Sequence, residues 1–502
     1  MRPINWFFSL LILLSAFCWN SMANDDLLHQ QALQGIDLAA ALEYEKAITV
    51  FDQLIQADPE NPRGYFLKSA AYFWMFSADM HNQKIGDAFK EISYQAVEVA
   101  KKRLEENEQD INALFYLGGA YGSLGRYYGM TYSYLKAYWY GKKGVNYLET
   151  VLEMDSTYYD AYLGMGIYHY LADVLPKFVK VLSFILGIEG DRALGIKQLQ
   201  LAGERGIYAK TEALFFLGAI YTYREREYSK ALMIWNDLLR MYPDNPGVLI
   251  HLGRCYANMG YCQQALNIYQ SILTGTDIEQ RLPLSSIHYQ TGTVQFRMND
   301  FQNAIQSFET AAATDTLYSG VHRWTYPWTL YHLGQIHEIT GSLERAQYYY
   351  RLITDEESEH AYERAKERLK KPLMEKEIRI MIGKNYINCH EYEQARVHFE
   401  ELLKHLNMQN NLEDKESIYE VQYHLGDIAY REGRTQEAIA IFSVIISDPS
   451  LRDQGIKGWC YYQRANCYRL SGDLKKAEAD FRKASEFNDE ELKENIDRAK
   501  NY

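Results

Sequence analysis

Small residues recur along this chain at one fixed interval. Gly253 is followed twelve residues later by Ala265. The same interval separates Gly292 from Ala304, Gly334 from Ala346, Gly383 from Ala395, Gly426 from Ala438 and Ala465 from Ala477. Four residues after the second small residue stands a large one: Tyr269, Phe308, Tyr350, Phe399, Phe442 and Phe481. Upstream, Gly35 with Ala47, Phe51 and Pro59 begins the series, and Ala231 with Trp235 and Pro243 continues it. Two antiparallel helices packed about 8–10 Å apart need small residues where they cross and large ones beside the crossing. The interval therefore predicts helical hairpins. In residues 246–279 the first helix carries Leu249, Leu252, Gly253 and Tyr256 on one face, Gly260 makes the turn, and the second helix carries Ala265, Tyr269 and Ile272.

These residue types at these spacings resemble the tetratricopeptide repeat, a helical hairpin of about 34 residues. The resemblance implies an all-α, right-handed superhelical solenoid of about ten or eleven hairpins. Repeat centres in the C-terminal half lie 39 to 49 residues apart, so helices or connectors are lengthened, as in Glu357–Lys371 before Pro372. The 43 Tyr follow from the same pattern, because hairpins place aromatics at their large positions. The expected organisation is a leader over 1–23, irregular hairpins over 24–210 and regular repeats over 211–502.

The irregular half stretches its hairpins. Leu117, Gly118 and Tyr121 open one whose second helix resumes near Gly144 and Leu148, with 125–144 filling the gap. Met165 and Gly166 open the next, which resumes near Gly195 and Leu199. Residues 172–190, "ADVLPKFVKVLSFILGIEG", are inserted between its halves. Asp173 suits a helix cap, Pro176 a first turn and Gly187 an end, and Asp191 suits the next cap. About twelve helical residues reach roughly 18 Å, short of a hydrocarbon core of about 30 Å. Val174, Phe178, Val181, Leu182 and Ile185 dominate its surface, leaving Lys177, Lys180 and Ser183 on a narrow stripe. Such a helix either plugs the neighbouring repeats or docks on a partner or a membrane surface.

Residues 162–206 carry a closer likeness. Leu175-Pro176-Lys177, Gly190-Asp191-Arg192 and Leu194-Gly195 resemble a segment of the tetratricopeptide repeat protein 39 family and its fungal inclusion-body-clearance relatives. That resemblance implies a non-enzymatic scaffold linked to lipid handling or aggregate clearance. The N-terminus departs from that intracellular family. Arg2, the apolar run Trp6–Phe17 and the small residues of Ser21-Met22-Ala23 read as a signal peptide cut after Ala23. Export to a periplasm, an outer membrane or the exterior is the expectation.

Five cysteines then remain: Cys255, Cys262, Cys389, Cys460 and Cys467. An odd count is no disulfide framework. Cys255 and Cys262 flank a turn and could pair, but packing thiols are the expectation, and no spacing suggests zinc. The net charge of −13 disfavours nucleic acid, whose phosphates need a basic footprint. No phosphate loop, metalloprotease motif or nucleophile elbow is present. A non-enzymatic chain without cofactor or metal is expected.

A stack of hairpins presents a groove lined by first helices. The repeat register places Arg254, Asn258, Tyr289, Arg297, Tyr331, Gln335 and Glu338 there, followed by Lys384, Asn388, Tyr423, Asp427, Arg431, Tyr462 and Asn466. The sequence thus reads as an exported scaffold holding a protein partner in this groove. Two alternatives stand beside it. One is a peripheral envelope component contacting membrane or complex through 172–190. The other is a carbohydrate-binding protein that stacks sugars on the Tyr and Trp of 127–140.

Overall fold

The computed structural model describes residues 26–500 apart from 81, 175–189, 244, 276–283, 319–324, 356–357 and 410–413. Over the described residues the chain is all-helical, with 24 helices and no strand. The helices pair into eleven hairpins. The first joins 26–40 to Tyr44–Ala57, and the second joins Pro62–Ala78 to Gln83–Glu106. The third is Ile111–Met130 with Tyr134–Met154, and the fourth is Ala161–Asp173 with Arg192–Arg205. The fifth and sixth are Lys210–Tyr223 with Tyr228–Met241 and Pro246–Asn258 with Cys262–Leu273. Next come Leu284–Arg297 with Phe301–Tyr318 and Thr325–Ile339 with Leu343–Arg351. The ninth to eleventh are Glu375–Asn388 with Tyr392–Gln409, Lys415–Arg431 with Thr435–Ser447, and Gln454–Leu470 with Leu474–Ser485. Glu490–Lys500 covers the end. The extra residues of the eighth hairpin form a helix of their own, Glu359–Lys370, capped by Ser358 and ended before Pro372.

The twelve-residue interval has a direct steric cause. In the seventh to tenth hairpins the large ring of the second helix lies against the glycine of the first. A Cβ at Gly334 would stand 2.5 Å from Tyr350, and one at Gly383 2.3 Å from Phe399. Gly292 meets Phe308 and Gly426 meets Phe442 in the same way. These rings are buried. Each contributes roughly 1.5–3 kcal/mol by leaving water.

The chain divides into two compact units within the sixth hairpin. One holds the residues up to Cys255 together with 271–284, and the other holds 256–270, 285–318 and the helices from Thr325 onward. The loss of repeat regularity before residue 210 lies inside the first unit.

In that first unit the third hairpin is continuous. Residues 125–144 are not filler between helix halves; both helices are lengthened and joined by the short turn 131–133. A glycine seam permits this. Cβ atoms at Gly125 and Gly144 would lie 2.8 and 2.7 Å from the backbones of Gly141 and Gly122. The fourth hairpin joins across its insertion as expected, with Gly166 against Leu199 and Asp191 capping through the Leu194 amide. Asp173 does not open a helix; it is the last residue of Ala161–Asp173, with Val174 as its half-buried C-cap. Phe178, Val181, Leu182 and Ile185 lie outside the described residues, as do residues 1–23.

The first helices of this unit fill their own inner face. Trp74 packs on Phe215 and Phe216 with ring centroids 5.3 and 6.1 Å apart. The Arg126 guanidinium lies 4.1 Å over Phe73 and 4.7 Å over Phe216, and donates to Glu212 at 2.9 Å. The first hairpin meets the far end of the same unit through Asp37 with the Tyr242 hydroxyl at 2.9 Å and the Ala40 carbonyl with Asn245 at 2.6 Å.

Candidate functional site

The second unit holds every expected groove residue except Arg254. Four tyrosines share one register, three residues before the small residue of their first helix. Each leans on the large ring of its own hairpin. Tyr289 meets Phe308 at 5.9 Å, Tyr331 meets Tyr350 at 5.7 Å, and Tyr423 and Tyr462 meet Phe442 and Phe481 at 5.9 Å. Tyr331 is buried and serves as a rung of the core rather than as groove lining, while Tyr289, Tyr423 and Tyr462 rest on the core half-buried.

The buried polar residues are likewise committed internally. Glu338 accepts from the Tyr350 hydroxyl at 2.8 Å and from the Leu373 amide at 2.6 Å. Asp427 accepts from Arg431 Nε at 2.8 Å and from Gln463 Nε2 at 2.9 Å, tying the tenth hairpin to the eleventh. Asn466 is buried. Burial without such partners would cost each group its desolvation, so these side chains hold helices together and are not offered outward. In the first unit, Arg254 lies over the Tyr223 ring at 5.2 Å.

Three expected residues, remote in sequence, meet around a covalent bond. Cys262 and Cys389 form a disulfide with Cα atoms 5.4 Å apart, linking the turns of the sixth and ninth hairpins. This corrects the expectation of packing thiols and the Cys255–Cys262 alternative; Cys255, Cys460 and Cys467 are the buried free thiols. Asn258 and Asn388 flank the joined turns, and Arg297 donates to the Ala257 carbonyl at 3.1 Å. His390, with φ +60, lies against Gly260 and sets its ring edge-on to Tyr261. Asn385 donates to the Phe296 carbonyl at 2.9 Å, and Asn299 to that of Ile382 at 3.2 Å, so the seventh and ninth hairpins touch directly. No spacing rule in the sequence signals a pair 127 residues apart.

The outward polar side chains on first helices are then few. Lys384 and Asn388 in the ninth hairpin are exposed, and in the tenth the Arg431 side chain is 40% exposed. Gln335 is half-buried and reaches Met381 Sδ. Between the ninth and tenth hairpins, Glu420 is held below the usual carboxylate range by the neighbouring His424 ring, 3.9 Å away; burial opposes this and Lys384 adds to it. Lys384 Nζ lies 3.9 Å from that carboxylate. The result is a charged, hydrogen-bonding surface on a rigid aromatic backing. Among the described residues no group of His, Cys, Asp and Glu is placed to hold a metal ion.

Residues 380–451 and 460–490 match tetratricopeptide repeat family models. Those two segments are tetratricopeptide repeats. They coincide with the ninth to eleventh hairpins. No characterised protein matches the chain at a significant level. Among solved structures it is similar to yeast Tom70, with 12% identity over 94% of this chain and 99% of that one, at a TM-score of 0.33. It is similar to a tetratricopeptide repeat protein from Parabacteroides merdae, with 16% identity over 57% and 97% of the two chains, at a TM-score of 0.24. A third is the C-terminal part of a repeat-containing protein from Cytophaga hutchinsonii, with 15% identity over 56% and 98%, at a TM-score of 0.23.

Proposed function

We propose that this chain is an exported, non-enzymatic scaffold that holds a protein partner on the first helices of its ninth to eleventh hairpins. Tetratricopeptide repeats bind proteins, and the matched repeats are these hairpins. The observation that carries the reading is the division of labour on that face. The rings and buried acids tie helices together, which leaves Lys384 and Asn388 exposed, with the partly exposed Arg431 fixed beside them by Asp427. A rigid surface loses little entropy on binding.

Export rests on different residues. The apolar run Trp6–Phe17 ending in Ser21-Met22-Ala23 supports it. So does the Cys262–Cys389 disulfide, a bond that persists in oxidising compartments. The test is affinity capture of the tagged chain from its native envelope, with partners identified by mass spectrometry. One protein should be enriched with the parent and lost with the charge reversals Lys384→Glu and Arg431→Glu, at unchanged helicity. Enrichment that survives both reversals would move the binding face elsewhere.

A further inference from the structure

The turn and second helix of the third hairpin have a surface that the fold does not use. Residues 111–148 contain no Asp or Glu, in a chain with 66. They contain Arg126, Lys136, Lys142 and Lys143. Arg126 is engaged inside with Glu212, while Lys136 and Lys143 are exposed. Beside these lysines stand large apolar side chains in water: Tyr132 at 78% exposure, Leu135 at 75%, Trp139 at 64% and Tyr134 at 56%. Leu135, Trp139 and Lys142 recur at i, i+4 and i+7, one face of the helix.

The other side of this helix is stiffly held. Tyr128 and Tyr140 stack at 5.3 Å, and the Tyr94 hydroxyl lies 3.0 Å from both of theirs. Lys136 and Lys143 set their ammonium groups over the Tyr128 and Tyr121 rings, 5.0 and 5.3 Å from the centroids, while Tyr132, Leu135 and Trp139 stand outside that support.

Tyr132 adds an independent observation. Its φ is +59, the left-handed region that a bulky residue enters only against steric resistance. The corresponding turns of four later hairpins use glycine at 260, 341, 433 and 472, while Leu42 and Arg226 take the same conformation in the turns of the first and fifth. Asn299 and His390, which also take this conformation, use their side chains to bind the ninth hairpin to the seventh and the sixth. Tyr132 instead projects into solvent, with Tyr134 as its ring neighbour.

We propose that this edge is a docking site for an anionic lipid surface. Aromatic rings with one apolar and one polar end settle at the headgroup level, and lysines extend past them to lipid phosphates. Each lysine near such a surface strengthens binding about fivefold. A sugar-binding platform would need carboxylates to accept from hydroxyls, and this stretch has none; Leu135 offers a sugar no hydrogen bond. A local cationic patch on a chain of net charge −13 complements an anionic surface. The site is in the first unit and does not depend on the partner-binding face.

The test is flotation of the full chain with phosphatidylcholine vesicles, with and without roughly one-third phosphatidylglycerol. Residues 1–23 are common to every variant, so differences report the edge. The parent should partition about tenfold better onto the anionic vesicles and less well in high salt. Trp139→Ser and Leu135→Ser should each weaken this several-fold, and Lys136→Gln with Lys143→Gln should erase the anionic preference. Tyr132→Gly should lower partition while the melting temperature holds or rises, which a purely structural tyrosine would not do. Partition unchanged by Trp139→Ser and Leu135→Ser overturns the proposal. Glycan or protein binding through Trp139 without vesicle binding overturns it too.

Discussion

The His332 ring lies parallel to Phe308, with centroids 5.2 Å apart and planes 13° from parallel. Phe308 belongs to the hairpin before, so this stack joins successive repeats, as Tyr289 joins the two helices of one. His424 on Phe399 and His251 on Trp235 repeat it, at 5.2 Å and 17° and at 4.5 Å and 12°. All three histidines stand two residues before the small residue of their first helix. That register was readable in the sequence but signals nothing until the preceding ring is in place.

These stacks predict acid sensitivity. Burial pushes His251 down to about 3, with Arg254 adding to the effect. Burial pushes His332 down to about 4; donation from the protonated ring to Gln335 opposes it, and Arg297 and Arg364 add to it. Both are neutral when folded, whereas the unfolded chain takes up protons near pH 6.5. Their contribution is therefore fully present above about pH 6.5 and is lost as pH falls towards the folded values. Melting temperatures measured from about pH 7 down to about pH 4.5 should fall. His332→Phe, which keeps the stack and removes the proton site, should flatten the decline relative to the parent.

The disulfide predicts a redox-dependent stability. Closing a loop of 127 residues restricts the unfolded chain, an effect of roughly 2–4 kcal/mol. Cys262→Ser should lower the melting temperature, and reduction of the parent should lower it similarly. Non-reducing peptide mapping should recover Cys262 joined to Cys389. Alkylation should reach Cys255, Cys460 and Cys467 only after denaturation. A map showing Cys255 joined to Cys262 would contradict the structure.

Gly383→Leu should be among the most damaging single changes in the second unit. Its Cβ alone would approach Phe399 to 2.3 Å, and overpacking costs roughly 1–3 kcal/mol or more. Shrinking the ring by Phe399→Leu should recover part of the loss in the double variant, although it is harmful alone. Additive losses in thermal melts would mean that glycine and ring do not share one space.

Processing after Ala23 predicts an exported product that begins at Asn24. N-terminal sequencing checks it; a mature chain that retains Trp6–Phe17 would redirect the reading to a membrane-tethered scaffold.

Asp160 shows how much local sequence can hide. Its Oδ1 accepts from the amides of Ile207, Tyr208 and Ala209 at 2.7, 3.0 and 2.9 Å, fixing a loop 47 residues away. Burial raises its pKa against those three bonds. Asp160→Ala should leave three amides without that acceptor and destabilise the first unit; the readout is loss of protection of residues 207–209 in hydrogen exchange.

For the regular repeats, hairpin existence, crossing position and small-against-large pairing were determined by the sequence alone; the second hairpin and the unbroken helices of the third were not. Those features of the regular repeats depend on helical periodicity and on a contact between residues about sixteen apart, and local order carries both. The all-helical class follows from the same fact. Tertiary structure decided what the side chains of the first helices do. Whether Tyr331, Glu338 or Asp427 points outward or into a neighbour depends on how tightly successive hairpins stack, and that is set by contacts between hairpins. The Cys262–Cys389 bond lies at the same level. It exists because the sixth and ninth hairpins are brought together, and no interval along the chain encodes that approach.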